Sequence, residues 1–245
     1  MATTRSQRTT RPSYASSAIA LLAAVCAAGL TTTHPVQRTL VAIEALGVFV
    51  VLLSAVGRQR GHRLGGLSLL LAGGGVVGLA LGLSTVFPAG LVERGALVSG
   101  MLGPVVLLLG LYPVRETLTR HFTGVGIALL VGAIVIRGWL QGIGQLQLLA
   151  AVALTLLAWD LAEQAVTLGR DVGRGARTVI VSLTHTAGSL LVGLFGVAVA
   201  AGIYGVPPST LPLAALALLL AGTLVLGLAL YLGHLEQAQN PVERL

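Results

Sequence analysis

The sequence predicts an all-α, polytopic transmembrane helical bundle, and three observations lead to this prediction. Hydrophobic residues make up 55% of the 245-residue chain and charged residues only 9%, whereas an average soluble domain carries about 25% charged residues. The apolar residues form long continuous runs rich in Leu and Ala, without the alternation of a membrane β-barrel. Short segments with charged or turn-forming residues separate these runs. The composition therefore excludes a soluble globular domain and also a disordered chain, which needs low hydrophobicity.

A membrane-spanning helix needs about 20 apolar residues, and the sequence offers eight runs of this kind. We place them at 14–31, 38–56, 64–86, 95–113, 122–140, 144–166, 179–204 and 211–232. Helix ends are predicted at Pro35, Pro88, Pro113 and the Pro207 and Pro208 pair, because proline disfavours continuation of a helix. We expect no span to be broken by a proline in its middle. The predicted organisation is a disordered tail at 1–12, a transmembrane bundle at 13–235 and a second tail at 236–245.

The distribution of arginine predicts the orientation of the chain. All fifteen basic residues are arginines. With a cytoplasmic N-terminus, only Arg38, Arg94 and Arg137 fall in or near the outer segments, and every other arginine falls on the cytoplasmic side. Because cytoplasmic loops carry an excess of basic residues, we expect both termini in the cytoplasm of a cell membrane. We also expect the first run to be retained, because no good small-residue cleavage site follows it.

The net charge of +7 suggests nucleic acid as a partner, but the sequence lacks the basic stripe and aromatic platform of a nucleic-acid-binding protein. Arginine contact with the lipid bilayer is the better interpretation, so we predict no nucleic acid partner. Cys26 is the only cysteine, which excludes an internal disulfide and a CxxC metal site. The HExxH, GxSxG and Walker lysine motifs are also absent. We therefore predict no catalytic residue, no metal, no cofactor and no enzymatic activity.

Glycines at four-residue intervals mark one face of the third run. Gly74, Gly78 and Gly82 form two overlapping GxxxG patterns, and small residues at this spacing allow membrane helices to approach closely. We interpret them as helix-packing glycines inside the bundle. A homo-oligomer contact is the alternative.

Two ionisable residues of opposite sign are predicted at similar depth near the outer surface. At a rise of about 1.5 Å per residue, Glu44 lies about 9 Å and Arg137 about 8 Å from the outer edge of the hydrocarbon. A charge in hydrocarbon is unfavourable unless it is paired or wetted. We therefore predict a Glu44–Arg137 ion pair, with the alternative that Arg137 extends to the outer headgroups.

A second polar group is predicted near the inner surface. Asp160 and Glu163 share one helix face, and His185 on the next run lies within one helical turn of Asp160 in depth. The sequence therefore predicts a polar cluster of Asp160, Glu163 and His185, with His185 facing the interior of the bundle.

Two interpretations of this inner cluster stay open. In the first, it is a proton-handling or ion site, because histidine titrates near neutral pH. In the second it is structural: the two carboxylates meet Arg170, Arg174 or Arg177 at the membrane surface, and His185 forms hydrogen bonds within the bundle.

The stretch from Ala158 to Gly193 carries a resemblance to a known family. Its distinctive residues are Trp159, Asp160, Glu163, Leu168, Gly169, Arg170, Gly173, Arg174, Arg177, Thr178, His185, Ser189 and Gly193. This stretch resembles a family of uncharacterised polytopic membrane proteins from haloarchaea. The genes of that family often lie near those for MoxR-type ATPases and for proteins with von Willebrand or transglutaminase-like domains. The resemblance implies an archaeal source and a membrane-associated ATPase system as a partner, but no activity.

The leading functional prediction is a non-enzymatic membrane component that serves as a scaffold or accessory protein. One alternative is a small-solute or ion transporter that uses Asp160, Glu163 and His185, and another is an intramembrane enzyme. A water-filled cavity that reaches Asp160 would favour transport, whereas a closed bundle would favour a scaffold.

Overall fold

A computed structural model describes residues 13–59, 63–88, 90–112, 116–140, 143–171 and 179–204. Within these ranges the chain forms seven α-helices and no strand. They are α1 (Tyr14–Leu30), α2 (Pro35–Gln59), α3 (Arg63–Val86), α4 (Leu91–Leu111), α5 (Glu116–Leu140), α6 (Gln145–Asp171) and α7 (Val179–Tyr204). The chain divides into two units, Met1–Val199 and Ala200–Leu245. The contacts below all belong to the first.

Six of the described helices, α2 to α7, are long and apolar enough to cross a membrane, and α1 is a shorter apolar helix of 17 residues. The all-helical, membrane-embedded architecture agrees with the composition. Each of the first seven predicted runs corresponds to one helix, although α2, α4 and α5 begin three to six residues earlier than predicted. The eighth run at 211–232 and the two predicted tails lie outside the described residues.

Helix α1 lies at the centre of the bundle. It packs most extensively against α6 and also contacts α4, α2 and α5. Its buried residues, which include Ala20, Leu21, Ala24 and Ala28, cover more than half of its circumference, while Leu22 and Cys26 are exposed on the remaining side. Their small size lets several helices approach one axis, so α1 forms the core of the bundle.

The bundle also contains two closely packed helix pairs, α2–α3 and α4–α5. Glycines make the contact within each pair possible. A Cβ atom on Gly73 would lie 2.8 Å from the carbonyl oxygen of Gly47, and one on Gly126 would lie 2.8 Å from the carbonyl oxygen of Gly103. Real Cβ atoms do not approach backbone atoms so closely. Glycine is therefore required where each pair of backbones meets.

The prediction that Gly74, Gly78 and Gly82 pack inside the bundle is wrong. All three positions are exposed in the described structure, and an added Cβ atom would meet nothing within 4 Å. The face of α3 that contacts α2 carries Gly73 and Val77 instead, one residue before Gly74 and Gly78. Regular spacing identified a stripe of small residues but not the side of α3 that meets α2. The homo-oligomer alternative for this stripe stays a prediction.

Prolines define helix boundaries at several predicted positions. Helix α2 begins at Pro35, α3 ends at Val86 just before Pro88, and α4 ends at Leu111 just before Pro113. Pro104 lies inside α4, which nevertheless runs unbroken from Leu91 to Leu111, in agreement with the expectation that no described span is broken by a central proline. Pro104 is itself fully buried, next to Gly103 at the α5 contact. Neighbouring helices allow such a proline within a membrane helix.

Contacts between helix ends show that neighbouring helices run in opposite directions. At one surface the guanidinium of Arg58, at the end of α2, lies 5.9 Å from the ring centre of Tyr112, after the end of α4. At the same surface the amide of Ser13, before α1, donates to the carbonyl of Ala165 in the last third of α6. The opposite surface holds the start of α2 and the end of α5, where Gln37 and Arg137 meet. This alternation agrees with the arrangement that the arginine distribution predicts.

Candidate functional site

A buried polar network joins four segments of the bundle at the surface where α2 begins. Arg137 of α5 is only 1% exposed. Its Nη2 donates to Gln37 Oε1 over 3.1 Å, and its Nη1 donates to Thr33 Oγ1 over 3.2 Å. Gln37 Nε2 in turn donates to Glu93 Oε1 at the start of α4, and His34 Nε2 lies 3.6 Å from the same oxygen. The network extends from the buried Arg137 to His34, which is largely exposed.

The predicted Glu44–Arg137 ion pair is wrong. Glu44 is completely buried, and neither of its carboxylate oxygens has a hydrogen-bond partner in the described structure. The backbones of Glu44 and Arg137 are predicted at similar depth, but the long arginine side chain reaches groups nearer the surface. Gln37, which Arg137 contacts, precedes Glu44 by seven residues, or about 10.5 Å of helix. Arg137 therefore extends outward, as the alternative predicts, but binds protein groups there.

At the other end of the bundle, Asp160 of α6 connects to α7. Asp160 Oδ2 lies 2.9 Å from His185 Nε2 and accepts a hydrogen bond of 2.5 Å from the Ser189 hydroxyl. One turn before His185, the Ser182 hydroxyl lies 2.9 Å from that of Ser16 on α1. Ser182, His185 and Ser189 share one face of α7. All the polar contacts described between α7 and the rest of the bundle involve this face.

The predicted approach of Asp160 to His185 is therefore confirmed as a contact, while its functional role stays a prediction. Glu163 does not take part, since its carboxylate has no partner among the described side chains. The side chains of Arg170, Arg174 and Arg177 lie outside the described residues. Contrary to expectation, His185 is not enclosed by the described helices: the side chains of His185 and Asp160 are each 43% exposed.

Asp160, His185 and Ser189 line a groove between α6 and α7 with a cavity volume of about 740 Å³. The rest of its lining is apolar and comes from leucines, valines, alanine and glycines of the two helices. The groove extends from Asp160 and His185 to Leu149 on α6 and Val197 on α7. Its polar groups therefore lie at one end. Clefts of 300–1,000 Å³ with apolar walls and a few placed polar groups are typical of small-molecule sites.

The hydrogen-bond arrangement at this end determines its chemistry. In a serine–histidine–aspartate arrangement the serine donates to the imidazole, whereas here Ser189 donates to Asp160, and the same carboxylate oxygen also contacts His185. Aspartate therefore holds both α7 residues. No group of three or more metal-ligating side chains occurs within the described ranges. The arrangement can bind and orient a polar group at the end of an apolar groove.

Sequence reasoning missed several members of the two polar groups, namely Ser16, Thr33, His34, Gln37 and Glu93. Each lies within a few residues of a helix end, where polar residues are common and carry little information. Gln37 could have been identified from the sequence, because it lies on the same face of α2 as Glu44 at a separation of seven residues. Ser189 lies on the same face of α7 as His185, but the predicted cluster does not include it.

Comparison with known proteins gives one match. A family described as "Family of unknown function (DUF7519)" matches residues 72–227, which is more than half of the chain and includes all of the groove. No curated protein and no solved structure matches the chain.

Proposed function

The chain belongs to the DUF7519 family of unknown function, and we propose that it is a non-enzymatic integral membrane protein that binds a small ligand in the groove between α6 and α7. One observation carries this proposal: Asp160 accepts hydrogen bonds from two residues of α7 at the polar end of an apolar groove. A carboxylate in a membrane helix normally marks a functional site. The volume and lining of the groove are those of a ligand site.

The apolar walls favour a hydrophobic ligand over the small polar solute or ion of the transporter alternative. A transport path for an ion needs polar groups along its length, and here they are confined to one end. The intramembrane enzyme alternative is disfavoured because Ser189 donates to Asp160 rather than to the imidazole of His185, so the contact that activates the serine of a triad is not formed.

Mass spectrometry of the intact protein, released from native membranes in mild detergent, tests the proposal. We expect the wild-type protein to retain a small molecule that Gly193→Leu loses. Gly193 lines the groove, and an added Cβ atom there meets nothing within 4 Å, so a larger side chain fills the groove without moving the backbone. Gly78→Leu is the matched control, because Gly78 is equally unobstructed but lies on α3. Loss of the molecule from both variants, or retention by both, would contradict a ligand in this groove.

The proposed arrangement in the cell has eight spans and both termini in the cytoplasm of a cell membrane. The arginine distribution supports it under the positive-inside rule. The resemblance of the stretch from Ala158 to Gly193 to a haloarchaeal family supports an archaeal source. It also supports an accessory role beside a membrane-associated ATPase. Affinity purification from the native membrane, followed by mass spectrometry, tests the partner: we expect a MoxR-type ATPase to be recovered, and its absence would contradict the accessory role.

A further inference from the structure

The groove between α6 and α7 is strongly asymmetric along its length. Asp160 lies eleven residues after Leu149 on α6, which corresponds to about 16.5 Å of helix. On α7, Val197 lies twelve residues after His185, or about 18 Å away along the helix. Apolar side chains line the groove over nearly all of this distance. A ligand that matches this lining has a polar head at one end and a hydrocarbon tail of comparable length.

The volume of the groove sets the size of such a ligand. The cavity measures about 740 Å³. A water molecule in the liquid occupies about 30 Å³, so the groove holds about 25 groups of that size. This capacity suits one long hydrocarbon chain with a small head group. It is too small for the two long chains and phosphate head of a membrane phospholipid.

The unpaired hydrogen-bonding atoms at the polar end of the groove indicate which head group the ligand carries. Oδ2 of Asp160 is occupied by His185 and Ser189. Asp160 Oδ1 and the second ring nitrogen of His185 have no partner among the described residues, and both residues line the polar end of the groove. A carboxylate oxygen only accepts hydrogen bonds, and a histidine nitrogen accepts or donates according to its tautomer. A hydroxyl group satisfies both atoms, because it donates and accepts.

Charge excludes the most abundant alternative head groups. Phosphate is recognised by arginine, lysine or backbone amides, and no basic residue other than His185 lines the groove in the described structure. Among the described residues that line the groove, the only formally charged group is the carboxylate of Asp160, which repels an anionic head group.

We infer that the groove between α6 and α7 binds a single-chain lipid with an uncharged hydroxyl head group, held by Asp160 and His185, with its hydrocarbon tail extending toward Leu149 and Val197. This inference rests on the proposed function and specifies the ligand of the same site. Several residues along the groove, such as Leu156 and Val192, are more than half exposed. The lipid therefore enters sideways between the two helices, at the depth of the hydrocarbon.

Photo-crosslinking with lipid probes tests the inference on the full chain in vesicles. The probes are a long-chain alcohol that carries a diazirine on its tail, the same chain with a phosphate head, and the same chain with no polar head. We expect the alcohol to label peptides of α6 and α7 in the wild type and in Gly78→Leu, and labelling to fall strongly in Gly193→Leu. Asp160→Leu removes one hydrogen bond to the head, so about fivefold more alcohol is needed for equal labelling.

The results separate failure of this inference from failure of the proposed function. Equal labelling by the phosphate or headless probe would overturn the hydroxyl head group while leaving a lipid in the groove. If the protein retains a small molecule that the alcohol does not displace, the ligand class is wrong but the groove remains a binding site. If no probe labels the groove and no molecule is retained, then protein fills it, and both proposals fail. Because Gly193→Leu leaves Asp160 unchanged, the inference stays testable even if Asp160→Leu does not fold.

Discussion

Asp160 holds α7 through two hydrogen bonds to one carboxylate oxygen, so its replacement removes both contacts at once. Hydrogen bonds between membrane helices stabilise a bundle by about 1 kcal/mol each. We expect Asp160→Leu to lower the free energy of unfolding by about 1–2 kcal/mol, measured by denaturation of the detergent-solubilised protein with sodium dodecyl sulfate. Glu163→Leu is the matched control, since Glu163 lies one turn away on α6 with no described partner, and it should have less than half this effect. Equal losses would mean that the contact with α7 contributes nothing to stability.

Glu44 and Arg137 provide a second test at the residue scale, because the structure separates two residues that the sequence predicts to be paired. We expect Glu44→Met to leave stability unchanged or raise it, since a buried carboxyl without a hydrogen bond is unfavourable. Arg137→Met should be destabilising, because it removes the guanidinium that donates to the Thr33 hydroxyl and to Gln37 Oε1, which then keeps only the Thr33 amide as a donor. The double variant should show the sum of the two single effects, as expected for residues that share no partner. A departure from additivity larger than about 0.5 kcal/mol would mean that the two residues interact after all.

At the scale of a helix, the glycines of α3 distinguish positions that pack against a neighbouring helix from positions that only share a regular spacing. Gly73→Ala would place a Cβ atom 2.8 Å from the Gly47 carbonyl and 2.8 Å from Val51 Cγ2, which forces α2 and α3 apart. Overpacking of this kind typically costs about 1–3 kcal/mol. Gly78→Ala meets nothing, so it should be neutral or slightly stabilising because alanine favours the helix. Both variants are compared by the same detergent denaturation, and a larger loss in Gly78→Ala would show that the Gly74, Gly78 and Gly82 stripe packs against another surface.

The sequence predicts where the helices occur better than which side of each helix faces its neighbours. Long apolar runs bounded by proline or charge predict the helices well, because the bilayer sets both their length and their composition. The contact between Asp160 and His185 could also be predicted, since both lie on consecutive helices at the same depth. Which side of α3 meets α2 could not, because glycines are frequent in the chain and each face carries some. The partner of Arg137 could not be predicted either, since its long side chain meets Gln37, two helical turns from Glu44 along α2, rather than a group at its own predicted depth.

At the scale of the whole molecule, alternating helix directions predict which residues are accessible from each side. We expect single cysteines at Arg58 and Arg120 to react with a membrane-impermeant thiol reagent only from the cytoplasm, and cysteines at His34 and Gly90 only from outside. Cys26, which is free and exposed, is first replaced by alanine so that each introduced cysteine is the only reactive one. Reaction of Arg58→Cys and His34→Cys from the same side would contradict both the alternation of helices and the arginine distribution.

The central position of α1 has a consequence for how the protein is made. This helix is the first of the seven to leave the ribosome, yet its partners are synthesised much later: Ser16 meets Ser182 across 166 residues of sequence, and Ser13 bonds to Ala165. Contacts so distant along the chain form late, because the ends of a long loop must come together first. Until α6 is inserted, the part of the α1 surface that packs against α6 has only lipid or a chaperone to cover it. The bundle therefore assembles around α1, the first of its described helices to be synthesised. Nascent chains that stop before α6 are the ones most exposed to degradation by membrane quality control.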